Sequence, residues 1–188
     1  MSYIPKPKTE IENGIFKTSI DGLYFIERSK HKDDRGFFSE VARMPELNTI
    51  TGNDFVVQQI NHARSDLNVA RGIHAEGWNK YIFVTQGSCF CALADLRKES
   101  ATYKAVETFK LGEDKLFGAL YVPNGVGNSY LVTQGPMDYV YFVDRLYADR
   151  DTADDAAISL FDPTLNIQWP ISQDQMIISE RDKNSMTL

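Results

Sequence analysis

Residues 80–96 read "KYIFVTQGSCFCALADL". Two apolar runs of strand length flank a Gln-Gly-Ser step, and the charged residues stand only at the ends. Residues 128–147, "NSYLVTQGPMDYVYFVDRLY", repeat the arrangement around Gln-Gly-Pro. Gly and Pro at such steps are turn chemistry, so each stretch predicts a pair of strands. Working outward, "GLYFIER" (22–28), "GFFSEVAR" (36–43), "DFVVQQINHA" (54–63) and "KLFGALYV" (115–122) add further short runs, and "PNG" (123–125) adds a turn. The spacing suits antiparallel strands rather than strand–helix–strand units. Helical signals are few: "MPELNTIT" (44–51) predicts one short helix and "ADDAAISLF" (153–161) another near the C-terminus. The expected fold is all-β, a sandwich or barrel of the jelly-roll kind with short C-terminal helices. A barrel of that kind has a mouth and lumen wide enough for a small ligand. Residues 1–188 are expected to form a single domain.

Composition narrows the function. The 188 residues are 43% hydrophobic and 24% charged, with a net charge of -6, as in an ordinary globular protein. No stretch is densely basic, so neither nucleic acid nor an anionic membrane is an expected partner. The apolar runs are too short to span a membrane as helices. "MSYIPKPKTEIENG" (1–14) carries no signal-peptide core. Cys89 and Cys91, the only cysteines, lie two apart on an expected strand, where a disulfide would be strained. Reduced thiols, packed in a core, indicate a cytoplasmic protein.

The chemistry centres on "RGIHAEGWNK", residues 71–80. His31, His62 and His74, the only histidines, are too far apart for a His-x-His pair, so no metal site is expected. There is no Gly-x-Ser-x-Gly elbow and no glycine-rich loop opening a helix. General acid–base work remains, because His exchanges protons near neutral pH. Lys80 stands six residues beyond His74 and could stabilise an oxyanion. The tyrosines of "DYVYFVDRLY" could supply a second proton carrier. These residues alone do not decide between a structural and a catalytic His74.

Longer motifs supply more. "DDRGFFSE" (33–40), "QINHARS" (59–65), "ARGIH" (70–74), "KYIFVTQGSCFCALADLRKESATY" (80–103), "YVPNGVGNSYLV" (121–132), "DYVYFVDRLY" (138–147) and "FDPTLNIQWP" with "IISERD" (161–182) occur in this order. Together they resemble the sugar-nucleotide 3,5-epimerases of the cupin superfamily, over roughly Gly22 to Asp182. The resemblance implies a cupin-type β-barrel, no cofactor, and a nucleotide diphosphate-linked 4-keto sugar as substrate. It also implies a place in carbohydrate biosynthesis, as for capsule or lipopolysaccharide. By the same resemblance, His74 is the base, Asp182 orients it, Lys80 stabilises the enolate and Tyr141 is the acid on the far face. Tyr147 matches a second site tyrosine, for proton transfer or for closing the pocket. Arg71 and Arg35 match diphosphate ligands, for which the guanidinium fork is suited. Glu40, Gln59 and Asn61 match sugar or base contacts. The family's Arg35–Glu40 strand crosses to a neighbouring subunit, implying a homodimer whose sites borrow residues from both chains. For Arg35 the simpler alternative is a surface ion pair with Asp33 or Asp34.

Three features depart from the family's pattern. Asn128 replaces a histidine after the Pro-x-Gly turn, Ala63 replaces a serine, and the loop between His74 and Lys80 is shorter. They alter the pocket wall, and "PNGVGNS" resembles variants acting on GDP-linked 4-keto heptoses or other modified sugars. Alternatives are a 3,4-ketoisomerase, a non-catalytic sugar-nucleotide-binding cupin and a metal-dependent cupin enzyme.

Overall fold

The computed structural model describes residues 2–52, 54–113, 115–149 and 152–188. Its strands are β1 (Glu10–Glu12), β2 (Ile15–Lys17), β3 (Tyr24–Glu27), β4 (His31–Asp33), β5 (Gly36–Phe38), β6 (Gln59–Ser65), β7 (Val69–Ala75) and β8 (Lys80–Asp95). There follow β9 (Val106–Gly112), β10 (Gly118–Val122), β11 (Val126–Val143), β12 (Ala156–Ala157) and β13 (Ile177–Ile178). Two α-helices are described, α1 (Met44–Thr51) and α2 (Glu180–Lys183). The all-β jelly-roll expectation holds.

Strands β8 and β11 organise everything else, and here the sequence reading needs correction. Gln-Gly-Ser and Gln-Gly-Pro do not reverse the chain. Each long apolar stretch is one continuous strand, and the two pair with each other along most of their length. At Gly87 the backbone has φ +72°, and a Cβ there would lie 2.5 Å from the Gln134 carbonyl oxygen. The opposing register shifts between Val132 and Asp138. Both strands therefore bend together, as at a sandwich corner. Beyond the bend they change neighbours. The first half of β8 pairs with β10, and the second half with β9. The far end of β11 pairs with β6, and its near end with β7.

Two half-sheets thus face each other. Between them Phe25, Ile82, Val84, Leu120 and Tyr139 meet Cys89, Cys91, Leu93, Phe109 and Val132. Alternate residues of β8 point outward and are covered too. On one side α1 and Phe55 pack on Tyr81, Phe83 and Tyr121. On the other, Ile158, Leu160 and Leu165 pack on Ala70, Ile73, Ala94 and Leu131. That double burial explains why the stretch 80–96 shows so little polar alternation. The cysteine thiols are free and buried, with Sγ atoms 3.3 Å apart.

Helix α1 forms where expected, with a proline in its first turn and Gly52 in the left-handed region as its cap. "ADDAAISLF" does not form an α-helix. Residues Ala156 and Ala157 add an edge strand to β7, and Ile158 and Leu160 alternate into the core. "GFFSEVAR" is a strand only over β5, which pairs with β4 in a separate hairpin. "DFVVQQINHA" becomes a strand only at Gln59.

Candidate active site

β6, β7 and β11 line a cavity of about 470 Å³ at one end of the sandwich. Period-two alternation turns Gln59, Asn61 and Ala63 of β6 and Tyr139 and Tyr141 of β11 into it. Strand β7 presents a difficulty. Arg71 and His74 both line the cavity, yet residues three apart on a regular strand face opposite ways. The register with β11 resolves it. Arg71 pairs with Tyr130 and His74 with Asn128, so Gly72 and Ile73 together oppose Ser129. That is a β-bulge, and the extra residue returns His74 to the face of Arg71. Only glycine fits at the bulge. Its φ is +114°, and a Cβ would lie 2.6 Å from both the Asn128 carbonyl oxygen and the Ser129 Cβ. Ile73 points the other way, into the outer apolar layer.

His74 Nε2 lies 2.7 Å from Asp182 Oδ1, joining residues 108 apart in sequence. Asp182 sits on α2, capped by the Ser179 hydroxyl. The Gly72 amide donates to its second oxygen at 3.4 Å. Burial alone would raise the pKa of Asp182. The hydrogen bond and charge of His74, then the Gly72 amide and the Ser179 hydroxyl, outweigh burial and bring it below the ordinary value. An ionised carboxylate only accepts. Nε2 of His74 therefore carries a proton, and in the neutral imidazole Nδ1 keeps the lone pair.

Lys80 opens β8, buried to 6% side-chain exposure, and its ammonium donates to Glu76. Burial, and after it the charge of Glu76, raises the pKa of Tyr141, so its phenol is protonated at neutral pH. Tyr139 donates to the Asn128 side-chain oxygen at 3.0 Å. Arg71 Nε donates to Ser65 Oγ at 3.3 Å, which in turn contacts the Tyr130 hydroxyl at 3.1 Å. Gln59 donates to Asn61 at 2.7 Å and accepts from the Tyr147 amide at 2.9 Å. Tyr147 stands at the exposed mouth, its ring 6.1 Å from that of Trp78.

The cavity therefore gathers His74, Asp182, Lys80, Tyr141, Tyr147, Arg71, Gln59, Asn61 and Asn128. Arg35 and Glu40 do not line it. Arg35, 90% exposed, sits in the β4–β5 turn and pairs with Asp33 at 2.6 Å, the surface ion pair its sequence allowed. Glu40 is held by Arg43, beside Arg28 in a separate polar recess.

The family model for dTDP-4-dehydrorhamnose 3,5-epimerase matches residues 17–188. The chain belongs to that epimerase family. The dTDP-4-dehydrorhamnose 3,5-epimerase of Streptomyces griseus is 30% identical over 171 residues, covering 89% of this chain and 82% of its own. A 3'-monoepimerase from Streptomyces bikiniensis, solved with dTDP-quinovose, superposes with a TM-score of 0.81 at 30% identity, covering 90% of this chain and 85% of its own. A 3,5-epimerase from Legionella pneumophila, solved with dTDP-4-keto-L-rhamnose, gives 0.82 at 27%, covering 92% and 91%. The epimerase fold thus extends through the C-terminal segment that carries Asp182.

Sequence reasoning gave no site role to Glu76, Trp78, Tyr130, Ser179 or Arg181, and named Tyr139 only as one of the tyrosines of its strand; all six also line the cavity. Tyr139 was findable, two residues before Tyr141 on one strand and so on the same face. Glu76 stood in the same relation to His74. Trp78 and Arg181 come from a loop and a short helix, whose periodicity marks no face.

Proposed function

We propose that this protein is a cofactor-independent epimerase acting at C3, C5 or both of a nucleotide diphosphate-linked 4-keto sugar, with the cavity of β6, β7 and β11 as its active site. The observation that carries the reading is the His74–Asp182 pair, 2.7 Å apart, in one cavity with Lys80 and Tyr141. The ketone acidifies the C–H bonds beside it. His74 Nδ1 takes one such proton, and the C–H pair becomes the double bond of an enolate. The ketone oxygen takes the negative charge against the Lys80 ammonium. Tyr141 returns a proton to the opposite face, inverting the carbon, and recovers its own from solvent, to which His74 releases the one it took. Asp182 holds the imidazole in the working tautomer and stabilises its cation.

Arg71 serves the diphosphate, and Gln59, Asn61, Asn128 and Tyr147 shape the sugar or base pocket. Arg35 and Glu40 would reach a nucleotide only in the site of a second subunit. Their place outside their own cavity, Arg35 in and Glu40 just beyond a hairpin that exposes Phe37 and Phe38, supports a homodimer. The reading takes residues 1–188 as one epimerase domain working in the cytoplasm. No helix among the described residues is long and apolar enough to cross a membrane.

The test is solvent exchange. dTDP-4-keto-6-deoxyglucose and a GDP-linked 4-keto sugar are incubated with enzyme in D₂O and the label is located by NMR. Deuterium at C3 or C5 with inverted product is expected. Binding of both sugars with no label at either carbon would refute the reading.

A further inference from the structure

Two carboxylates line the cavity. Asp182 is committed to His74. The other, Glu76, receives the Lys80 ammonium. The pair is largely desolvated, with 6% side-chain exposure for Lys80 and 21% for Glu76. Burying such a pair gains little net stability, because desolvating both charges offsets their attraction. Stability therefore does not account for it. Position does. A lysine side chain has four rotatable bonds, and its ammonium has three donors. One donor fixed on Glu76 leaves two in a defined direction.

The backbone around Glu76 is correspondingly held. Trp78 donates its amide to the Glu76 carbonyl at 2.7 Å. Asn79 is tied to Asp144 through its amide at 2.9 Å and its side chain at 2.6 Å. The Asn124 amide donates to the Asn79 side-chain oxygen at 2.9 Å. The short loop from His74 to Lys80 thus carries its own carboxylate and is anchored through the residues that follow it. Glu76 is also the leading charge acting on the Tyr141 phenol, so it stands near both groups that would handle the enolate.

Resting on the role proposed for Lys80, we infer that Glu76 is the positioning residue of this epimerase: it holds the Lys80 ammonium where the ketone oxygen of the sugar arrives. Glu76 acts through Lys80 and not on the substrate. It therefore matters when charge develops on that oxygen, and little for binding.

The experiment is a double-mutant cycle on deuterium incorporation. It uses whichever of dTDP-4-keto-6-deoxyglucose and a GDP-linked 4-keto sugar the wild type labels faster. Glu76→Gln keeps the size and an acceptor oxygen but removes the charge. Glu76→Asp keeps the charge but draws it back from the ammonium. Each should lower kcat for exchange about tenfold with KM within about twofold, the pattern of an interaction made in the transition state. In a Lys80→Met background neither should slow exchange further. Melting temperatures identify any variant that lost its fold, and having two variants keeps the cycle usable. Equal losses in both backgrounds would overturn the inference while leaving Lys80 its role. A rise in KM alone would also overturn it, since Glu76 would then touch the sugar. Wild-type exchange in Lys80→Met itself would remove the role of Lys80, and this inference with it.

Discussion

Replacing Asp182 by Asn tests the base most directly, and the geometry sets the size of the effect. The 2.7 Å contact is charge-assisted, of a kind worth about 1.5–3 kcal/mol. Its loss as the imidazole becomes cationic costs about 10- to 100-fold in rate at 1.4 kcal/mol per decade. A second effect adds to the first. The Gly72 amide points at the other Asp182 oxygen from 3.4 Å. In the variant the amide oxygen is best placed there, which turns the NH₂ group toward His74. Nε2 must then accept, its proton moves to Nδ1, and the lone pair that should face the sugar is lost. Wrong-tautomer losses reach about 10⁴, so the expected fall in kcat for exchange is about 10³, with KM nearly unchanged. Asp182→Ala imposes no tautomer and should lose less, about 10- to 100-fold. The assay is single-turnover deuterium incorporation at saturating sugar nucleotide, beside a thermal melt. An Asn variant within threefold of wild type would refute the dyad. An Ala variant slower than the Asn variant would refute the tautomer argument.

Other variants probe the remaining parts. Tyr141→Phe should keep deuterium exchange, since His74 and Lys80 remain, while inverted product falls sharply; parallel loss of both, or of neither, would remove Tyr141 as the acid. Gly72→Ala forces a Cβ to 2.6 Å from the Asn128 carbonyl oxygen and Ser129 Cβ at φ +114°. Backbone strain and overpacking together cost about 2–6 kcal/mol, read as a melting temperature lower by about 10 °C with loss of exchange. Asp95 is fully buried, and burial would raise its pKa, but hydrogen bonds from Arg97, Ser100 and Thr102 bring it down to about 2. Against about 3.9 in the unfolded chain this contributes about 2 kcal/mol above pH 4, lost as pH falls toward 2. The urea-midpoint gap between wild type and Asp95→Asn should accordingly shrink between pH 5 and 3. Mixing Arg35→Ala with His74→Ala subunits should restore about a quarter of wild-type activity if a homodimer shares Arg35 across chains, and none if each chain is self-sufficient.

The sequence announced its strands better than their connections. Gln-Gly-Ser and Gln-Gly-Pro look alike whether the chain reverses or only bends, because the glycine freedom each needs is the same. The bend at Gly87 is set by the Gln134 carbonyl, a neighbour 47 residues away in sequence that local pattern cannot supply. "ADDAAISLF" carries helix-forming alanines, yet the open edge of β7 and the outer apolar layer claim it as extended chain. At the site, resemblance supplied the residues that the structure gathers with His74. It gave no role to Glu76, although strand alternation from His74 places it on the same face. Arg35 and Glu40 were readable as motif but not as position, since no pattern within one chain says which copy of a cavity a hairpin serves.

The bulge at Gly72 amounts to a shift of phase written into the chain. Upstream of it β7 is in step with Arg71, downstream with His74, and the two steps differ by one residue. Arg71 and His74, proposed above as diphosphate grip and proton-moving group, are thus set against each other by a single inserted unit. Straightening the bulge without shortening the chain would remove that offset: the side chain now at His74 would turn outward and Ile73 would turn into the cavity. Deleting Gly72 would instead leave Arg71 and His74 two apart and still on one face. Recombination or loop exchange among relatives can therefore cross β7 only where the crossover preserves this one-residue offset, which makes the "RGIH" tetrad the smallest block that can be inherited without loss of meaning.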